Sequence, residues 1–271
     1  MALDEIKNFV KTRLQAATSK KNLITSHLNA SETIINMLGH KIEKIREVEH
    51  NIMHNTDRSG NYSHLGRSFM ENNKLITLRL LCLLSITQKL SDSEVKDILT
   101  RYYHEFGYRY GYLHNNLIKA GFIEDKSLSP NILTKLPMLL SNNFYTNANK
   151  LKQIPEVVRT DIKYPTCPSY VFGGCYVPLI TTIAGLLLSG SPLKEIESKL
   201  EILGSVTVGR NESSVLAQRS LILFVIGGVT FAEIAACNLL EKLTGSKITL
   251  ISDSIISGND IAEGLISGPI P

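Results

Sequence analysis

Ser220-Leu-Ile-Leu-Phe-Val-Ile-Gly-Gly-Val-Thr-Phe-Ala-Glu-Ile-Ala-Ala236 is the stretch on which the fold turns. Leu221 to Ile226 is a continuous apolar run that stops at Gly227-Gly228 and passes directly into a helical pattern opening at Thr230. Such a run, bounded by glycines, reads as a parallel strand buried on both faces between layers of helix. The glycines permit a tight strand-to-helix turn. One more strand is expected at Lys247–Ser252, after a helix over 231–243, and a last helix lies near 260–265. Two or three strands are too few for an independent doubly wound sheet. The expectation is therefore a fragment whose missing strands belong to a longer chain, with an exposed sheet edge as a liability.

Ahead of this unit the sequence is helical. From Leu3 to about Met53, Leu3, Ile6, Val10 and Leu14 mark one apolar stripe, and Ile35, Leu38, Ile42, Ile45, Val48 and Ile52 another. Thr18 to Lys21 is either a break or an exposed face, and Asn55 to Asn61 a loop. Asn73 to Lys89 is apolar nearly all round, which predicts a central buried helix. Ser91-Asp-Ser-Glu94 is a capping box that opens a helix to about Phe106, and a short helix follows from Tyr110 to Ala120. A helix near 132–140, a polar loop over 142–149 and a short strand over 169–174 are expected next. Pro178 and Ser191 each open a further helix, and 204–218 reads as a surface loop. The fold class is α+β: an all-helical N-terminal region followed by an incomplete parallel α/β sheet domain.

The 271 residues are 43% hydrophobic and 20% charged, with a formal net charge of +4, a composition that supports a sizeable core. So small an excess of cations gives no footprint for nucleic acid. Four widely separated cysteines fit a reduced, intracellular protein, with Cys82 and Cys237 as buried thiols. No signal peptide opens the chain and no window reaches the length of a membrane span, so membrane association is expected to run through partners.

The candidate sites are each met by a simpler reading. Gly227-Gly228 lies where nucleotide phosphates bind in α/β proteins, and an α/β nucleotide-binding protein or enzyme is the alternative reading of the chain. Yet neither a Walker sequence nor a full Gly-x-Gly-x-x-Gly is present. Thr230 and Glu233 form a capping box that would occupy the amides a phosphate needs. His50 and His54 stand one helical turn apart without an obvious third ligand, although His64 is near in sequence. No Gly-x-Ser-x-Gly elbow occurs, and Asp253 and Asp260 are explained by a strand end and a helix start. Tyr102, Tyr103, Tyr108, Tyr110 and Tyr112 make an aromatic cluster without an interleaved basic patch, read as core plus partner surface. Neither catalytic residues, cofactor nor metal is expected.

Phe224 to Ala235 resembles the C-terminal signature of the Sec/Munc (SM) family of vesicle-fusion proteins, in its vacuolar protein sorting branch. Arg79 to Thr87, Tyr112 to Gly121 and Tyr170 to Leu179 resemble segments of the same branch, in the same order. The Cys82 to Thr87 run, with Ile154-Pro155 and Tyr176-Val-Pro178, is most similar to its B-type members. Cys237-Asn238 and Ser252-Asp253 depart from the family's pattern.

The resemblance implies a non-enzymatic scaffold in vesicle tethering and SNARE-mediated fusion on the endosome–lysosome pathway. It would be cytoplasmic and peripheral on late endosome and lysosome membranes. Residues 1–55 would end the upper helical lobe, 56–168 form the lower lobe, and 169–271 supply the C-terminal half of the sheet domain. The partner implied is a helical solenoid, a sixteen-type vacuolar sorting subunit or its VIPAR-like counterpart. SNARE proteins are expected only in the context of a full-length chain. Tyr102, Tyr103, Tyr108 and Tyr110 are the expected docking anchors.

Overall fold

Helix-forming residues run almost without interruption through the first fifth of the chain. In the computed structural model, which describes residues 2–71, 73–123, 144–155, 165–207, 209 and 220–269, they form α1, Ala2–Met53. The helix is broken at Gly39, whose φ of 44° and ψ of −146° lie outside helical values. Thr18 to Lys21 continue the helix, so they are an exposed face rather than a break. The chain divides into two compact units, Met1–Glu47 and Val48–Pro271.

In the first unit the apolar residues recur at alternating steps of four and three: Val10, Leu14, Ala17, Ile24, Leu28, Ile35 and Leu38. Lys21 and Ser31 fill the two remaining places of this register. A strict seven-residue repeat of this kind is the pattern of a coiled-coil seam. Its large side chains are exposed. Lys11, Arg13 and Lys20 border it, with Glu32 the opposing charge.

The second unit begins with the end of α1, where Val48 and Ile52 enter the core. Four helices follow: α2 (Arg58–Met70), α3 (Lys74–Gln88), α4 (Asp92–Phe106) and α5 (Leu113–Lys119). A 3-10 turn, Tyr108–Tyr110, lies between α4 and α5. Leu78, Leu81 and Leu84 of α3 are fully enclosed, as an all-round apolar helix requires. Ser91 and Glu94 form the expected capping box of α4. Arg58 ties three elements together: it donates to the carbonyls of Gln88 (3.0 Å) and Lys89 (3.3 Å) at the end of α3, and pairs with Glu94 at 2.9 Å. The expected loop over 55–61 is shorter than the sequence implies, because the Asp57 carboxylate accepts the Gly60 N–H at 3.1 Å and starts α2 at Arg58.

Beyond α5, Phe144–Lys150 (α6) is a helix where a polar loop is expected. The expected strand at 169–174 is instead a 3-10 turn, Pro168–Phe172, closed by Gly173 in the left-handed region. Helices α7 (Leu179–Leu188) and α8 (Leu193–Leu200) follow, and the N-cap position of α8 is Pro192, which makes no side-chain cap, rather than Ser191. The expected helix near 132–140 and most of the loop over 204–218 lie outside the described residues.

The C-terminal segment then gives β1 (Ser220–Val225), α9 (Phe231–Thr244), β2 (Lys247–Ser252) and α10 (Gly258–Ile266). The strands pair in parallel, Ser220 opposite Lys247 through Val225 opposite Ser252. Helices α7 and α9 pack on one side of this sheet. The expectation of a strand buried on both faces is corrected: burial alternates along both strands, and Ile222 and Phe224 are 70% and 65% exposed. Among the described residues no second helical layer covers that side. Helix α10 leaves the sheet and enters the helical core, where Ala262 and Leu265 are buried. The Asn116 amide secures it by donating to the carbonyls of Leu265 (2.9 Å) and Gly268 (2.6 Å). Cys82 and Cys237 are buried, and desolvation pushes their thiols up to about 12 and about 11, which leaves them inert.

Candidate functional site

The tyrosines of the α4–α5 connection come together, but at different depths. Tyr102 faces inward from α4 and is fully buried, packed on Phe106 (ring centroids 4.7 Å), Tyr110 (5.9 Å) and Phe69 (6.5 Å). Burial raises its phenol well above the ordinary value. Gly107, at φ 106°, ends α4 and turns the chain so that Tyr110 falls back on the same cluster. Tyr108 points the other way and is 72% exposed, stacked on half-buried Tyr103 at 6.4 Å and beside His104 at 5.8 Å. Tyr112, at the start of α5, is also exposed.

The cluster is less purely aromatic than its sequence implies. Arg101 lies over the Phe69 ring at 4.7 Å, and Arg109 over the Tyr110 ring at 4.8 Å. Lys74, from α3, donates to the Tyr110 hydroxyl at 3.1 Å. Burial raises the Tyr110 phenol, but the hydrogen bond from Lys74 and the nearby Arg109 guanidinium outweigh it and hold the group below its usual range. A basic component is therefore present, supplied partly by an element far away in sequence. Arg101, beside Tyr102, and Arg109, between Tyr108 and Tyr110, are its local signs.

The Gly227-Gly228 turn is built for closure of the backbone. Gly228 has φ 106°, and a Cβ there would stand 2.8 Å from both Ser254 Oγ and Ile256 Cγ2. Val229 bridges to Ile255, donating to Ser254 O at 3.0 Å and accepting from Ile256 N–H at 2.9 Å. The Gly227 N–H donates to both Asp253 carboxylate oxygens, at 3.1 and 3.2 Å. That bond and the Ser252 hydroxyl hold Asp253 below the ordinary carboxylate range. Thr230 and Glu233 form their capping box, Glu233 N–H to Thr230 Oγ1 at 3.1 Å and Thr230 N–H to Glu233 at 2.9 Å. A phosphate at this turn would meet two carboxylates and amides that already donate elsewhere. Nothing in the geometry favours the nucleotide reading.

His50 and His54 stack with centroids 4.3 Å apart and planes at 23°. Ring-on-ring contact turns the nitrogen lone pairs, which lie in the ring planes, away from a shared ion. Among the described residues no three His, Cys, Asp or Glu side chains converge as metal ligands, and no described helix is long and apolar enough to cross a membrane.

A helical body joined to a parallel two-stranded sheet, with a strand–Gly-Gly–capped helix near its end, is an arrangement that sequence comparison assigns. The Sec1 family profile matches residues 1–264, and the chain belongs to the Sec1 family. It is similar to vacuolar protein sorting-associated protein 33B of Mus musculus, 24% identical over 298 residues covering 98% of this chain and 48% of that protein. Vacuolar protein sorting-associated protein 33A of Rattus norvegicus is 28% identical over 284 residues, 98% of this chain and 44% of that protein. Vacuolar protein sorting-associated protein 33 of Schizosaccharomyces pombe is 25% identical over 283 residues, 97% of this chain and 46% of that protein. The chain spans about half the length of the curated relatives it matches.

Proposed function

We propose that this chain is a non-enzymatic scaffold of the vacuolar sorting kind, acting in vesicle tethering and SNARE-mediated fusion on the endosome–lysosome pathway. The observation that carries this reading is the Sec1 family match over nearly the whole chain, with relatives named for vacuolar protein sorting. Residues 1–55 would belong to the upper helical lobe, 56–168 to the lower lobe and 169–271 to the sheet domain. The uncovered sheet side, with Ile222 and Phe224 exposed, fits a domain completed by other segments of a longer chain. The apolar seam of α1, bordered by cations, fits helices of the fusion machinery laid along it in the context of a full-length chain.

The docking partner is a helical solenoid, a VIPAR-like or sixteen-type vacuolar sorting subunit. Tyr108, exposed and stacked on Tyr103, is the anchor of that contact. Tyr102 and Tyr110 hold the turn beneath it from inside the core. The protein would be cytoplasmic and reach late endosome and lysosome membranes through these partners.

The test is coexpression of the chain with the C-terminal solenoid of a VIPAR-like partner, followed by light scattering after size exclusion. A one-to-one complex is expected, lost in the double variant Tyr103→Ala/Tyr108→Ala at unchanged helicity. If the complex survives, the scaffold stands and the surface lies elsewhere. A folded chain that ignores the partner sinks the docking assignment.

A further inference from the structure

A second feature of the helical body is independent of partner docking. A pocket of about 440 Å³ opens between the start of α3 and the end of α4. Its polar lining is Asn73, Lys74, Glu105, Arg109 and Tyr110, against a wall formed by Phe106. Lys74 donates to the Tyr110 hydroxyl at 3.1 Å, and the Arg109 guanidinium lies over the Tyr110 ring at 4.8 Å. The phenol oxygen thus accepts from Lys74 with Arg109 close beside it, which leaves its own O–H to donate. That hydrogen has no acceptor among the described residues. Among the described residues neither Lys74 nor Arg109 makes an ion pair there. The Asn73 carbonyl oxygen accepts the Ile76 N–H at 3.2 Å, so the amide NH2 is the part of that side chain left to donate.

We propose that this pocket binds a phosphate-class oxyanion, held by the Lys74 ammonium, the Arg109 guanidinium and the Tyr110 hydroxyl. Two cations within reach of one phenol repel each other, and an oxyanion between them relieves that repulsion while accepting from both. A dianion matches two positive groups better than a carboxylate does, and a guanidinium offers it two parallel donors. The Phe106 and Tyr110 rings exclude part of the solvent and strengthen each charge-assisted bond. Glu105 is the opposing charge: it lines the pocket, pairs with neither cation, and lowers the affinity by repulsion. The Tyr110 phenol, held below its usual range, reports the positive potential at this spot.

The experiment is titration calorimetry of the 271-residue chain with inorganic phosphate at low ionic strength, against acetate. Saturable binding of phosphate, stronger than that of acetate, is expected. Lys74→Met or Arg109→Met should each weaken it by about tenfold, as loss of a charge-assisted bond requires. Glu105→Gln should tighten it a few-fold, which a purely structural role for these residues does not foresee. The tyrosinate difference spectrum between the wild type and Tyr110→Phe should move to higher pH when phosphate is bound. Flotation with phosphatidylcholine vesicles, with and without phosphatidylinositol phosphate, separates the two sources of the ligand. Phosphate binding without vesicle capture assigns a soluble phosphate, and capture that depends on the phosphorylated lipid assigns a headgroup. Absence of saturable phosphate binding overturns the proposal, as does binding that Arg109→Met and Glu105→Gln leave unchanged with helicity intact.

Discussion

Helix α3 and strand β1 are both continuous apolar runs, yet one is enclosed and the other half open. Leu78, Leu81 and Leu84 on α3 have no accessible surface to speak of, whereas Ile222 and Phe224 on β1 face outward. The difference lies in where each run finds its cover. α3 is wrapped by the end of α1, by α2 and by α4, which are its neighbours along the chain, and then by α10. Cover for a strand must come on two faces and two edges, more than its neighbours along the chain supply. α7 and α9 supply one face and β2 one edge. Helices adjacent along the chain close most of the helical core, which α6 and α10 complete, whereas the segments adjacent to β1 leave the parallel sheet half open.

The sharpest way to break this contrast is to cut into α3. Leu81→Ala removes a fully enclosed side chain and is expected to destabilise the chain by about 2–5 kcal/mol, read from the denaturant midpoint of the helical signal. A change within about 0.5 kcal/mol would mean that the core around α3 is loosely packed. Next in size is Gly228→Ala. The positive φ and the 2.8 Å approaches to Ser254 and Ile256 give an expected loss of about 1–3 kcal/mol. Because the turn belongs to the sheet end, that loss should appear first as faster hydrogen exchange in β2 and α9, leaving α3 protected. Simultaneous loss of protection in α3 would show that the open and closed regions unfold as one.

A smaller effect follows from the end of α1, where it joins the core. Burial, and then the proximity of His50, lower the pKa of His54. The unfolded chain therefore takes up this proton at higher pH than the folded one. The contribution of neutral His54 is complete above the unfolded value near 6.5 and is lost as pH falls from there to the folded value. Stability should decline on acidification below about pH 6.5, and His54→Gln should flatten that part of the profile. Glu49, raised by burial against the opposing influence of Arg79, acts in the other sense: its penalty grows as pH rises from near 4.5 through its folded value. The smallest effect is expected on the open face. Phe224→Ser should change stability by no more than about 0.5 kcal/mol and should improve solubility, measured by the concentration at which the chain precipitates. A loss comparable to that of Leu81→Ala would mean that something covers the sheet in solution.

Much of this architecture is legible in the amino-acid sequence. The capping boxes at Ser91 and Thr230 are short-range patterns, with donor and acceptor three residues apart, and both form as the spacing implies. The strand at Leu221, its partner at Lys247 and the helix between them follow from apolar runs and bounding glycines. Features that depend on distant partners are not legible in this way. α2 is polar on average and is held by Asp57 and Arg58, the latter through contacts with the end of α3 and the start of α4. Ser169 to Gly174 has strand-like residues, but Gly173 and Gly174 both take positive φ and the segment winds into a turn. In the tyrosine cluster, the sequence brings five tyrosine rings near one another along the chain and cannot rank their depth.

By itself, the sequence determined the long helices α1, α3, α4 and α9, both strands, and the capping boxes at Ser91 and Thr230. It also determined that the chain carries more apolar surface than a two-stranded sheet can hide. These are consequences of periodicity and of bonds between residues a few positions apart. Only the tertiary structure decided that α10 leaves the sheet to seal the helical core. The same holds for the inward and outward directions of Tyr102 and Tyr108, and for the meeting of Lys74 with Arg109 across one phenol. Each depends on the direction in which one element crosses another, and that is set by packing between residues far apart in the chain.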